Sequence, residues 1–89
     1  MRSSAKGRGS WTVYMLRCGD RSLYTGITTD LPKRLVRHRA GTASAYTSAR
    51  RPVRLVYEER QPDRSTALRR EAALRRLSRA EKLALIRGA

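Results

Sequence analysis

Two short runs rich in aromatic and β-branched residues, Trp11-Thr-Val-Tyr14-Met-Leu16 and Leu23-Tyr24-Thr-Gly26-Ile27, stand one turn apart. Gly19-Asp20-Arg21-Ser22 between them is turn chemistry, so the pattern predicts a strand–turn–strand unit. A helix start follows at once in Asp30-Leu-Pro-Lys-Arg34-Leu-Val-Arg-His38. Asp30 can cap the orphan amides, Pro32 suits the first turn, and Leu31 and Leu35 lie four apart on one face. Hairpin and helix together bring Tyr14, Tyr24, Arg34 and His38 into one neighbourhood: two phenols, a permanent cation and a titratable imidazole.

Alternation along the first strand puts Trp11, Val13 and Met15 on one face and Thr12, Tyr14 and Leu16 on the other. Both faces carry bulk, which predicts a sheet covered by helices rather than one open to water. In the second strand Gly26 is locally unfavourable and marks a close approach, either by a phosphate backbone or by a neighbouring side chain. The first helix is expected over about 31–39 with Gly41 after its end. A long polar connection, 42–52, holds Tyr46, Arg50 and Arg51, and a third strand is expected over 53–57. Asp63 opens a second helix over about 64–77, and the capping box Ser78-Arg-Ala-Glu81 starts a third to about Arg87. Residues 1–10 read as a disordered basic arm and 11–89 as one domain, without repeats.

The 89 residues carry 21 Lys and Arg against 7 Asp and Glu, a net charge of +14. Self-repulsion of that size disfavours a compact state unless a polyanion offsets it. Nucleic acid is the expected partner, ahead of an acidic membrane surface, because no stretch reads as a basic amphipathic anchor. No 18-residue apolar run and no secretory signal are present, so a cytoplasmic location is expected, with no membrane and no obligate protein partner. Cys18 is the only cysteine and His38 the only histidine, which excludes an internal disulfide and a four-ligand structural zinc site.

Placed at 100° intervals on the second helix, Ala67, Leu68, Ala72 and Leu74 form an apolar arc with Glu71 inside it. An acid on such a stripe is unfavourable unless a cation, metal or donor satisfies it. Arg75 offers an ordinary i,i+4 pair. The other reading is a metal ligand, and a lone carboxylate points to Mg²⁺ or Mn²⁺, which keep their waters and bind substrate phosphate.

Thr12-Val-Tyr14, Tyr24-Thr-Gly26, Arg34, His38 and Glu71, in this order and spacing, resemble the GIY-YIG nuclease superfamily over about residues 11–80. The runs Leu-Tyr-Thr-Gly-Ile-Thr (23–28) and Arg-Arg-Pro-Val-Arg-Leu-Val-Tyr (50–57) are similar to its small, stand-alone, single-domain bacterial branch. The resemblance implies an α+β fold, a three-stranded antiparallel sheet flanked by helices. It also implies Tyr14 as general base, Tyr24 on the phosphate or water, and Glu71 as metal ligand. Thr12 stands where the signature has its first glycine, Ile27 where some members carry lysine, and the chain contains no Asn.

Phosphodiester hydrolysis needs an activated water, relief of charge on the phosphate and help for the leaving oxygen. Arg34 can grip two phosphate oxygens, and His38 can share the proton work or contact a phosphate. A phenol near pKa 10 needs nearby cations to become a tyrosinate, and this chain has many. Lys33, Arg37, Tyr46, Arg50 and Arg51 are expected to contact nucleic acid. The expected function is a metal-dependent DNA endonuclease of low sequence specificity favouring single-stranded or unpaired DNA. The other class is a nucleic-acid-binding module that keeps the fold without turnover.

Overall fold

The computed structural model describes residues 10–89; of the arm expected over 1–10, all but Ser10 lies outside the described residues. Strands β1 (Trp11–Arg17), β2 (Leu23–Thr28) and β3 (Arg54–Gln61) form one sheet in the order β2-β1-β3, both pairs antiparallel. Helices α1 (Leu31–Ala40), α2 (Ala45–Ser48), α3 (Arg64–Arg76) and α4 (Arg79–Gly88) complete the fold. This is the three-stranded, helix-flanked α+β arrangement that the sequence led us to expect.

The central strand is buried on both sides, as its alternation requires. Tyr14 and Leu16 pack with Cys18 and Val53 beneath Leu31 and Leu35 of α1. Val13 packs on the other side with Ala67 and Leu74 of α3, extended by Trp11, Tyr57, Leu77 and Leu85. Strand β3 slips in register between Met15 and Leu16, so Leu55 pairs with Leu16 and Tyr57 with Met15. That bulge sends Leu55 and Tyr57, two residues apart, into opposite cores.

Local signals set the helix ends. Asp30 Oδ1 accepts from Lys33 N at 3.1 Å, and Gly41 closes α1 in the left-handed region at φ +82°. Asp63 and Ser78 cap α3 and α4, each within a reciprocal capping box.

Two expectations are corrected. The connection 42–52 is not structureless: Ser44 Oγ accepts from Thr47 N at 3.1 Å and starts α2. The third strand begins at Arg54 and continues to Gln61, four residues beyond Tyr57. On this edge strand Glu58 and Arg60 face solvent while Glu59 is bound by its neighbours. Tyr57 Oη, Gln61 Nε2 and Arg70 Nε all donate to its carboxylate, which fastens α3 to β3.

Gly26 lies directly across from Tyr14. A Cβ there would meet Tyr14 Oη at 2.6 Å and Cζ at 2.7 Å. Of the two readings of this glycine, the neighbouring side chain is the one the fold uses. Gly26→Ala should therefore destabilise the protein by about 1–3 kcal/mol through overpacking. A urea midpoint unchanged in the variant would contradict this account.

Candidate active site

Tyr14 projects from the middle of β1 across Gly26, and its ring has no exposed surface. Its Oη lies 2.8 Å from His38 Nε2, reaching from the last turn of α1, and His38 Nδ1 lies 2.8 Å from Thr47 Oγ1 on α2. Thr47 Oγ1 is in turn 2.9 Å from Ser44 Oγ. Tyr24, from β2, sets its ring edge-on to His38 with centroids 5.3 Å apart, and 6.4 Å from that of Tyr14. It is only partly buried. Two strands and two helices thus meet at one imidazole.

The electrostatics differ from expectation at Tyr14. Burial, then the neighbouring Tyr24, push its phenol up to about 12, and Arg34 only partly opposes them. Burial, with Arg34 and Arg37 nearby, holds His38 below the usual imidazole range. At rest the pair is therefore phenol and neutral imidazole. With the phenol raised and the imidazole lowered, moving the proton from Tyr14 to His38 is strongly uphill in the resting protein. Substrate and its counter-charges must supply that difference.

Arg34 sits on α1 one turn before His38; its guanidinium has no carboxylate partner among the described residues and lies close enough to Tyr14 to lower the phenol's pKa. Together with Lys33, Arg37, Thr28 and Thr29 it lines an open cleft of about 320 Å³. A larger cavity of about 870 Å³, between α1 and β3, holds none of the expected site residues. Tyr46 stacks on Tyr24 with centroids 5.8 Å apart and is 37% exposed. Arg50 covers Tyr46 at 3.8 Å and pairs with Asp20 at 3.1 Å. Arg51 donates to the carbonyls of Ser48 and Arg39. Lys33, Arg37 and Tyr46 thus border the site, whereas Arg50 and Arg51 hold the chain's own groups.

Glu71 reaches the same end of the sheet from α3, close enough for its charge to act on Tyr14. The apolar arc is narrower than expected: Ala67 and Leu74 are buried, but Leu68 and Ala72 are exposed. Glu71 shares the stripe of Ala67 and Leu74, with its side chain 16% exposed. The i,i+4 pair exists, with Arg75 Nη2 donating to Glu71 Oε2 at 3.3 Å. The same nitrogen also donates to the Thr25 carbonyl at 3.3 Å, which ties α3 to the edge of β2. No group of three His, Cys, Asp or Glu side chains among the described residues can enclose a metal ion. Glu71 is a hard oxygen donor, and alone it fits Mg²⁺ or Mn²⁺ completed by water and substrate phosphate. Sequence reasoning missed Thr47; the one available signal was Ser44-x-x-Thr47, a helix start that positions this hydroxyl.

Because folding lowers the proton affinity of His38, the unfolded chain binds that proton more tightly. The stability contributed by the neutral imidazole is complete above about pH 6.5 and declines as pH falls below it. Thermal melts between pH 7 and 5 should show this decline in the wild type and a flatter profile in His38→Gln. Parallel profiles would contradict the assignment, since Asp20, Glu59 and Asp63 are held low and titrate beneath that window.

Residues 10–84 match the GIY-YIG catalytic domain family. A UPF0213 protein of Streptococcus sanguinis (strain SK36) is 48% identical over 75 residues, covering 84% of this chain and 86% of its own. One from Syntrophus aciditrophicus (strain SB) is 50% identical over 76 residues, covering 84% and 87%. The solution NMR structure of a UPF0213 protein from Bacillus halodurans superposes with a TM-score of 0.56 at 40% identity, over 86% of this chain and 82% of that one. By the match over residues 10–84 and by these relatives, the chain belongs to the GIY-YIG family of nucleases and groups with its small UPF0213 proteins.

Proposed function

We propose that the protein is a metal-dependent endonuclease that hydrolyses DNA phosphodiester bonds. The observation that carries this reading is the 2.8 Å hydrogen bond between a buried tyrosine and a histidine held below the usual imidazole range, with the Arg34 cation acting on the same phenol. A binding module needs cations; it has no use for a phenol and a neutral base held 2.8 Å apart in a desolvated site.

In this reading Arg34 takes two phosphate oxygens, and its move onto the phosphate uncovers Tyr14. A water oxygen attacks phosphorus as the bond to the leaving sugar oxygen breaks. The water's proton passes to Tyr14 Oη, whose own proton has gone to His38 Nε2, and solvent then protonates the leaving oxygen. Tyr24, whose hydroxyl makes no hydrogen bond among the described residues, is free to donate to the phosphate or the water. Mg²⁺ or Mn²⁺ held by Glu71 would supply charge neutralisation at the leaving oxygen. Arg75 already gives Glu71 a cationic partner and a second anchor at Thr25, so the carboxylate is oriented before any metal arrives.

Cleavage of a labelled oligonucleotide with and without Mg²⁺ tests this reading. Glu71→Gln should abolish metal-dependent cutting with the thermal transition intact. Arg34→Lys should keep most binding and lose roughly 10²- to 10³-fold in kcat, because a point charge does not reproduce a two-oxygen grip. Normal turnover by a well-folded Glu71→Gln would overturn the metal assignment.

Low sequence specificity is expected because the usual adenine readers are missing or engaged and no second module is left for base reading. The chain has no Asn, and Gln61 is engaged with Glu59 at 2.9 Å. Tyr46, partly exposed over Tyr24, would offer a stacking face to an unpaired base once Arg50, which covers its ring at 3.8 Å, swings onto the nucleic-acid backbone. At matched salt, single strands and flaps should be cut faster than blunt duplex. Equal or faster cutting of duplex, or cutting at one defined sequence, would overturn that preference.

A further inference from the structure

The chain of contacts behind Tyr14 has a direction. Tyr14 Oη is fully enclosed, and His38 Nε2 is its hydrogen-bond partner among the described residues. If His38 carried its hydrogen on Nε2, that hydrogen would point at the phenol oxygen. The phenol's own hydrogen would then be buried beside the Tyr24 ring and the Arg34 cation with no acceptor, an expensive arrangement. Hydrogen on Nδ1 removes the conflict: the phenol donates to Nε2, and Nδ1–H needs an acceptor of its own. Thr47 Oγ1 is there at 2.8 Å, from a residue with no exposed surface. Thr47 can accept because its single hydrogen has somewhere else to go, to Ser44 Oγ at 2.9 Å. Ser44 is held in turn as the cap of α2. The Tyr14 hydroxyl, both ring nitrogens and the Thr47 hydroxyl are all satisfied only when donation runs Tyr14 to His38 to Thr47 to Ser44, whose Oγ and carbonyl are both within reach of Thr47 and whose own hydroxyl is partly open to solvent.

We propose that Thr47 is a positioning residue that fixes His38 as the Nδ1–H tautomer, so that Nε2 stands open to receive the proton of Tyr14. The kinetic consequence rests on the nuclease reading above; the tautomer does not. Imidazole in water favours hydrogen on Nε2, so the protein must reverse the intrinsic preference. The second contact of the ring decides which nitrogen carries the hydrogen, and a hydroxyl that accepts does so only if its own hydrogen is drawn elsewhere. α2 therefore supplies proton order rather than a group that touches substrate.

His38 is the only histidine in the chain, so long-range ¹H–¹⁵N correlation spectra of the uniformly labelled protein report its two nitrogens without ambiguity. Above pH 7.5 the wild type should show Nδ1 protonated and Nε2 as the pyridine-like nitrogen. Thr47→Val, near-isosteric but without an acceptor, should move the hydrogen to Nε2, and Thr47→Ser should restore Nδ1–H. In oligonucleotide cleavage Thr47→Val should lower kcat by roughly 10²-fold or more with KM nearly unchanged, and Thr47→Ser should recover most of it. A wild-type spectrum with hydrogen on Nε2 would overturn the proposal without any variant, even were Thr47→Val unable to fold. So would a folded Thr47→Val that keeps the wild-type tautomer. A protein with the expected tautomers but no cleavage would overturn the nuclease reading and leave the role of Thr47 standing.

Discussion

The 2.8 Å hydrogen bond between Tyr14 and His38 ties the central strand to the first helix across 24 residues, and most of the architecture serves it. Gly26 clears the path for the phenol, because any side chain at that position would occupy the space of Oη. Leu31 and Leu35 seat α1 on the sheet at the height that brings His38 down to the ring. Gly41 then ends the helix one turn later, which lets the chain double back and present Thr47 to the far side of the imidazole. A buried polar line of this kind is costly unless every member is satisfied. That requirement explains why the short α2 and its capping serine lie where they do.

The seven acids of the chain are spent almost entirely on structure. Asp30 and Asp63 cap α1 and α3, and Glu81 completes the capping box of α4. Asp20, Glu59 and Glu71 form the three ion pairs found among the described residues, with Arg50, Arg70 and Arg75. Only Glu58 has neither task. Burial alone would raise the Glu59 carboxyl, but its bonds to Arg70, Tyr57 and Gln61 outweigh that and hold it below its usual range. Little negative charge remains to neutralise the rest of the 21 basic side chains, and exposed pairs contribute little in any case. The positive field is thus left for a polyanion, as suits a family that acts on nucleic acid.

The site combines a shielded pair with an open rim. Tyr14, His38 and Thr47 are sealed, whereas Tyr24, Tyr46 and the cleft around Arg34 face outward. Burial raises the phenol and lowers the imidazole, so the resting protein holds its proton on the tyrosine. Only an anion that recruits Arg34, together with charge at Glu71, can shift that balance.

Local chemistry was legible in the sequence. The hairpin, the caps at Asp30, Gly41, Asp63 and Ser78, and the double-sided burial of β1 all depend on residues a few positions apart, so spacing alone determined them. The order and interval of Tyr14, Tyr24, Arg34 and His38 were legible as well, and the fold brings these four side chains into one neighbourhood. Tertiary structure alone decided what those residues can do. Gly26 makes room for a phenol, β3 runs to Gln61 as an edge strand, and Glu71 lies beside Ala67 and Leu74 rather than Leu68. The height of the Tyr14 pKa and the part played by Thr47 were likewise hidden. Desolvation and tautomer are set by atoms brought together from distant parts of the chain, and no pattern of near neighbours encodes them.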